Sequence, residues 1–394
     1  MRNMLKRTIY AILILLVLTT PQSSLAANIS NNGVDKINGV ASNYNIVRTK
    51  YDKNSKTIGI FYPQISGIKD KTKQIKINKL IKDTALVAVQ DSNTIFDWYD
   101  LDYTIMWSSD KILSIKFSGN SYVETAPHPN NECFMININM NNGNKFVLPE
   151  LISINNDFLK LFINKSEFLN DPVELPADTL MELKEDKFSI NNLKYDFDKN
   201  AQFYFTSKGI VFYISTYHAI GDYTLFSLKF SDLTKYIKSN TLWNSIKSDF
   251  VATDYQIVRE QCFLTNLVPY GDVWFVSGFN STQNGIKKDL RFYLIDKNSK
   301  VKYAFPALFS NSLGYYGITA VAFRDVNNDN RKDIIIVANV KSNKETEVDE
   351  VGVFLNKSNG FVIDKKLNTY LNSKLADIKT ISDVLKLTKN YYKG

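Results

Sequence analysis

Two spacings of apolar residues organise the first half of this chain. Ile58, Ile60 and Tyr62 alternate with their neighbours, the period of a half-buried strand, and Pro63 is expected to end it. Ile77, Leu80, Ile81, Ala85 and Ala88 then recur every three or four positions, which sets them on one face of a helix. Strand-like runs follow at 103–106, 112–117 and 133–138. Asn141-Asn142-Gly143-Asn144 supplies a turn between Ile138 and Phe146, so this stretch predicts an antiparallel meander. A helix over 158–168 comes next, followed by a polar region marked by Pro172 and Pro176. Sheet character returns at 203–205, 210–215 and 225–230, with Lys208-Gly209 as a tight turn. Ser231 then stands where it can cap a closing helix through Leu233, Tyr236 and Ile237.

The second half is patterned differently. Short β-branched or aromatic runs at 273–276, 290–295, 318–323, 334–338 and 351–355 are divided by Asx, Gly and Lys turns. Ile378, Ile381, Leu385 and Leu387 fall at roughly helical spacing and predict a terminal helix. The predicted fold class is α+β. A module of mixed antiparallel sheet and packed helices spans 44–240, and a β-rich domain spans 251–394 and ends in a helix. Each is long enough to bury its own core.

The N-terminus reads as an export signal over 1–26. Arg2, Lys6 and Arg7 precede an apolar core from Ile9 to Leu18, and small residues at Ser24 and Ala26 stand where a signal peptidase cuts. That core is shorter than the roughly 20 residues needed to span a bilayer, and no second such stretch follows. A secreted or cell-wall-associated protein is expected, with no transmembrane helix in the mature chain. Residues 27–43, rich in Asn, Ser and Gly, read as a flexible lead-in.

Composition adds bounds rather than chemistry. With 44% hydrophobic and 13% aromatic residues the chain is globular, and most of its many Tyr and Phe are expected to build core. The formal charge of +8 drops by three once Arg2, Lys6 and Arg7 are removed. The remaining excess suits anionic wall polymers as well as plain solubility. The Lys residues are scattered among acids and no nucleic-acid-binding motif is present, so no nucleic-acid partner is expected. Cys133 and Cys262 can form a disulfide after export or stay as two free thiols.

The sharpest candidate site is the loop Asp325-Val326-Asn327-Asn328-Asp329-Asn330-Arg331-Lys332-Asp333 between two apolar runs. Asp325, Asn327, Asp329 and Asp333 occupy loop positions 1, 3, 5 and 9, and the Arg331 carbonyl falls at position 7. A hard cation takes six to eight oxygen ligands, so this phasing predicts a structural calcium. The competing reading is an Asx-rich hairpin turn that binds nothing. An EF-hand is excluded, because Ile336 stands at position 12 where that site needs a bidentate Glu.

His128 and His218 are the only histidines, each with a carboxylate four residues on, Glu132 and Asp222. They are the tentative ligand-binding residues. A shared zinc site requires the two to converge in space; otherwise they are imidazoles hydrogen-bonded within the fold. No Gly-x-Ser-x-Gly elbow is present, and no catalytic residue is assigned.

Several stretches carry a family resemblance. Ile60-Phe61-Tyr62-Pro63-Gln64-Ile65, the segment 74–81, Ala126-Pro127-His128-Pro129-Asn130, Asn142-Gly143-Asn144, Phe205-Thr206-Ser207-Lys208-Gly209-Ile210, the segment 217–223 and Ser231-Asp232-Leu233 resemble the extracellular module of PdaC-type peptidoglycan deacetylases and RsiV-type anti-sigma factors. The resemblance covers about half the chain. It implies an α+β fold at the bacterial surface and, from the anti-sigma proteins, a role in sensing lysozyme. It does not extend to a deacetylase domain or to a sigma-binding segment, and the usual Gly-Ala-His appears here as Ala126-Pro127-His128. The loop with its flanking runs is similar to a single FG-GAP-type calcium unit. These readings predict an exported, non-catalytic binding module for a wall glycan or a surface protein such as lysozyme. The alternative is a metal-dependent hydrolase acting on cell-wall material.

Overall fold

The computed structural model describes residues 35–51, 57–90, 96–124, 126–169, 175–250, 256–279, 281–283, 286–309, 312–344, 346–374 and 380–392. The proposed export signal and residues 27–34 lie outside them. Strands β1 (Asn45–Tyr51), β2 (Ile58–Ser66), β3 (Trp98–Ser108), β4 (Ile112–Tyr122), β5 (Asn130–Asn139) and β6 (Asn144–Lys145) stand in chain order in one sheet. All its pairings are antiparallel except β2 with β3. A parallel pair needs a crossover, and helix α1 (Lys71–Gln90) supplies it. Ile77, Ile81 and Ala85, four residues apart, bury against Ile60, Leu101, Ile115 and Ile138. Each buried aliphatic of this size contributes roughly 1.5–3 kcal/mol. Gly143 takes the left-handed conformation (φ 69°) that the tight turn between β5 and β6 demands.

Pro63 does not end β2, contrary to expectation. The strand continues to Ser66, with Pro63 opposite Arg48. The β3 ladder touches only Ile58, Gly59 and Ile60. Beyond it no strand pairs that side of β2, so a residue without an N–H is tolerated, and the Asn78 side chain of α1 takes up the N–H and carbonyl of Ile65.

Helices α2 (Leu148–Leu151), α3 (Asn156–Lys165), α4 (Ala177–Lys187) and α5 (Ile190–Asn200) accompany a second sheet. Its strands β7 (Glu167–Phe168), β8 (Phe203–Phe205), β9 (Gly209–Ser215) and β10 (Tyr223–Lys229) run in the order β7-β10-β9-β8. One face packs Phe212 and Phe226 against Phe158 and Phe162 of α3 and Phe197 of α5. Several of these rings meet edge to face, the arrangement that the ring quadrupole favours. The other face buries Tyr204, Val211, Tyr223 and Leu225 with Cys133, Met106 and Met135 of the first sheet, so the two sheets stack.

The sequence extended α3 to residue 168, but its last residues leave the helix to form β7. Ser231 lies inside α6 (Phe230–Leu233) rather than ahead of it; Lys229 holds the N-cap position and no side chain caps it. Helix α7 (Thr241–Ile246), capped by the Asn240 side chain on the Trp243 N–H, follows.

The remaining strands form two facing sheets. One contains β11 (Gln256–Ile257), β12 (Phe263–Leu267), β13 (Gly271–Phe279), β16 (Arg291–Ile295) and β17 (Val301–Ala304). The other runs β14 (Ser281–Gln283), β15 (Ile286–Lys288), β18 (Gly314–Arg324), β19 (Asp333–Lys341), β20 (Glu347–Lys357), β21 (Gly360–Ile363). Phe275, Phe292 and Leu294 meet Ile334, Ile336 and Phe354 between them. Ile335 and Val337 point the other way, onto Leu367 and Leu371 of α8 (Lys365–Lys374) and Val384 of α9 (Ile381–Tyr391). A strand covered on both faces reads as a continuous apolar run, which is why 334–338 does not alternate. Helix α9 matches the predicted C-terminal helix; Ile378 lies outside the described residues.

Residues 35–43 are not the flexible lead-in that their composition suggested. Lys36 bridges Lys300, and Ile37, Val40 and Ala41 bury on the outer face of the first of these sheets, against Val276, Tyr293 and Ile295. The Ile37 N–H donates to the Ser299 carbonyl and the Val301 N–H to the Asp35 carbonyl, so backbone bonds and apolar burial together hold the segment there. Cys133 and Cys262 lie in separate clusters and form no disulfide with each other. Among the described residues no helix is long and apolar enough to cross a membrane.

Candidate functional site

The two histidines, 90 positions apart in sequence, lie ring on ring: centroids 3.5 Å apart, planes inclined by 20°. His128 is in the turn before β5. His218 opens a single 3-10 turn (His218–Ile220) between β9 and β10. Gly221 (φ 98°) and Asp222 (φ 69°) then reverse the chain through left-handed conformations. Asx residues tolerate that conformation better than most, so an Asp can follow the Gly. The reversal returns the Asp222 carboxylate to His218, with Oδ1 against Nδ1. Its Oδ2 accepts the Asn131 backbone N–H at 2.7 Å and lies 3.3 Å from Asn131 Nδ2. One carboxylate thus ties the β9–β10 turn of the second sheet to the start of β5 in the first.

Glu132 does not join His128. Neighbours along a strand face opposite ways, so with Asn131 turned to Asp222, Glu132 points to the α1 side of its sheet. There its Oε1 accepts from the Ser121 hydroxyl at 2.6 Å. Burial raises the Glu132 carboxyl above its ordinary value; the Ser121 bond opposes that and the Asp222 charge adds to it. The Tyr99 hydroxyl is buried nearby with no hydrogen-bond partner among the described residues, its pKa pushed up by burial and then by Glu132. Sequence reading missed Tyr99, Ser121 and Asn131, because only strand register brings them to these carboxylates.

This arrangement is poor for a shared metal. A ligating nitrogen offers its lone pair in the ring plane, and two nearly parallel rings direct those lone pairs along separate planes rather than to one point. Asp222 on His218 Nδ1 would by itself suit a ligating imidazole, and His218 Nε2 is buried without a hydrogen bond among the described residues, but the stacked His128 ring does not share its plane. Among the described residues no group of three or more His, Cys, Asp or Glu side chains is placed to hold a metal ion.

The loop at 325–333 joins β18 to β19 as predicted, with Asn328 (φ 60°) and Asn330 (φ 61°) left-handed. Asp325 Oδ1 and Asn327 Oδ1 both accept the Asp329 N–H, at 3.2 and 3.1 Å, and Asp325 Oδ2 accepts the Asn330 N–H at 2.7 Å. Asp329 accepts from the Arg331 N–H at 3.0 Å and from Asn327 Nδ2 at 3.1 Å, with Lys357 Nζ 3.4 Å away. Asp333 is fully buried and accepts the Val326 and Asn356 N–H groups at 2.9 and 2.8 Å. Its carboxyl is raised to about 6, by burial first and, against those two bonds, by the charges of Asp329 and Asp325. Asp325, Asn327 and Asp329 therefore turn inward around the loop amides, and Asp333 closes the base of the hairpin. The donor chemistry suits a hard cation, while each carboxylate already has a protein partner.

Comparison with known proteins adds little. No family model matches the chain, and no curated protein does either. Among the solved structures that are similar, two match over about half of it. A DUF3298 family member from Bacteroides fragilis shows 14% identity, with 54% of this chain and 100% of that chain covered and a TM-score of 0.33. A DUF3298 family protein from Pseudomonas aeruginosa shows 9% identity, with 50% and 94% covered and a TM-score of 0.33.

Proposed function

We propose that this chain is an exported protein of the bacterial envelope that binds a wall glycan, without catalysis. The observation that supports binding over chemistry is the His128–His218 stack. These are the only two imidazoles in the sequence, and their rings lie face to face instead of aiming at a common ion or substrate atom. Export rests on the N-terminal sequence, and placement at the wall on the resemblance described above and the modest positive charge. The loop at 325–333 enters this reading as a structural calcium site. In its favour are the phasing of the donors and the crowding of Asp333 by Asp329 and Asp325, which a divalent cation would neutralise. Against it stands the hydrogen bonding that already engages each carboxylate.

The test is a pull-down of the purified chain on insoluble cell wall, with immobilised lysozyme as a second arm. Retention by the wall is expected. Retention by lysozyme alone would replace the glycan with a protein ligand, and retention by neither would overturn binding at the envelope. The rival, a wall hydrolase, draws on one observation: the Asp222 carboxylate orients His218 as an acid–base imidazole would be oriented. Release of soluble fragments from purified wall, lost in a His218→Ala variant, would favour it.

A further inference from the structure

Helix α1, the hairpin between β5 and β6, and helix α7 enclose an open cleft of about 800 Å³. That volume falls within the roughly 300–1,000 Å³ usual for small-molecule sites. We propose that this cleft takes a short stretch of sugar chain bearing N-acetyl groups. The proposal rests on the wall-glycan reading above and gives it a place and a chemistry.

The argument is an account of hydrogen-bonding capacity. Asn139 Oδ1 accepts the Asn141 N–H at 3.0 Å and Asn142 Oδ1 accepts the Asn144 N–H at 2.9 Å. Asn144 Oδ1 accepts from Lys76 Nζ, which also lies 3.3 Å from the Asn142 carbonyl. The hairpin engages the carbonyl end of Asn139 and Asn142, and Lys76 of α1 engages that of Asn144. The amide nitrogen, with two N–H donors, is the end left for a ligand. These amides are held in orientation before anything binds, so little conformational freedom remains to be lost.

Of the charged groups in the cleft, Lys145 stands on the hairpin and the others are engaged. Lys79 pairs with Asp83, and Glu150 accepts the Val147 N–H at 2.8 Å. Leu80 and Leu242 add apolar surface on the walls. A wall rich in fixed neutral donors calls for a ligand rich in acceptors. Ring hydroxyls and acetamido carbonyls supply them, and the acetyl methyl finds the leucines. A deacetylated chain replaces each acetamido acceptor with an ammonium donor, which meets other donors and the nearby lysines.

The experiment titrates the full chain with soluble N-acetylglucosamine oligomers and with glucosamine oligomers of equal length, by calorimetry. An Asn142→Asp, Asn144→Asp variant is the control, since aspartate keeps the acceptors that the turn and Lys76 use and removes the donors. The N-acetylated oligomer is expected to bind, and both the deacetylated oligomer and the variant to lose about tenfold or more. No binding of the N-acetylated oligomer, or equal binding by the variant, overturns the cleft. Wall retention that survives such a result leaves the envelope reading standing. Oligomer binding through the cleft without wall retention removes the envelope reading and keeps the site.

Discussion

The ring of His128 rests on the ring of His218, with 3.5 Å between centroids, and Asp222 grips the second ring from its edge. The stack joins the turn before β5 to the turn before β10, so two sheets meet at two imidazoles. Its consequences can be measured.

Zinc content separates the two functional readings. Purified protein is expected to carry far less than one zinc per chain, and a His128→Ala, His218→Ala variant to carry no less. One zinc per chain in the wild type, lost in the variant, would restore the metal-centre alternative.

Asp222 should matter more to stability than its place in a surface turn suggests. Asp222→Ala removes acceptors for His218 and for the Asn131 N–H and puts a side chain that tolerates it poorly at φ 69°. A loss of about 2–4 kcal/mol in urea unfolding is expected. Asp222→Gly, which relieves the backbone alone, should recover only part of it; full recovery would assign the cost to conformation rather than to the carboxylate.

Glu132 makes a prediction about pH. A carboxyl raised by burial holds its proton more tightly in the folded chain than in the unfolded one. The stability it contributes is complete below the ordinary value of about 4.5 and is lost as pH climbs through the higher folded value. Glu132→Gln keeps an acceptor for the Ser121 hydroxyl and has no proton to lose. Wild-type stability relative to this variant should therefore fall across that window, and parallel pH profiles would count against the assignment.

Calcium at millimolar concentration is expected to raise the melting temperature, since a ligand bound only by the native state stabilises it by mass action. Asp325→Asn with Asp329→Asn should abolish the rise. A melt indifferent to calcium would leave 325–333 as a turn closed by its own hydrogen bonds.

Arg259 ties the β-rich half to the first sheet. Its Nε donates to the Ile105 carbonyl at 2.7 Å and its Nη2 to the Ser108 hydroxyl at 3.0 Å. Ser108 in turn donates to the Val40 carbonyl at 2.6 Å. Arg259→Ala is expected to cost about 2 kcal/mol in thermal or urea unfolding. A change below a few tenths would mean that apolar packing alone holds the junction.

Helices α4 and α5 show where pattern reading fails. Among the described residues, only Leu183 is buried on α4 and only Leu193 and Phe197 on α5, so neither helix carries a broad apolar stripe. Phe197 holds its place through three aromatic neighbours, Phe158, Phe162 and Phe212, none of them local in sequence, and Phe162 in turn meets Phe226. In the same way the Asn-rich turn after β5 was legible as a turn and not as a cleft wall. Its other walls, α1 and α7, come from 60 residues before it and 100 after it.

Local chemistry is what the residues settled unaided: which runs alternate and which recur at helical spacing, where Asx and Gly turn the chain, and hence the α+β class and the terminal helix. Those features depend on contacts within a few positions. Tertiary structure alone decided that the histidines stack instead of converging, that Glu132 turns away from His128, and that residues 36–41 pack on a sheet. Each depends on which face of a strand meets which neighbour, and that is fixed by long-range register and by the burial of side chains far apart in sequence.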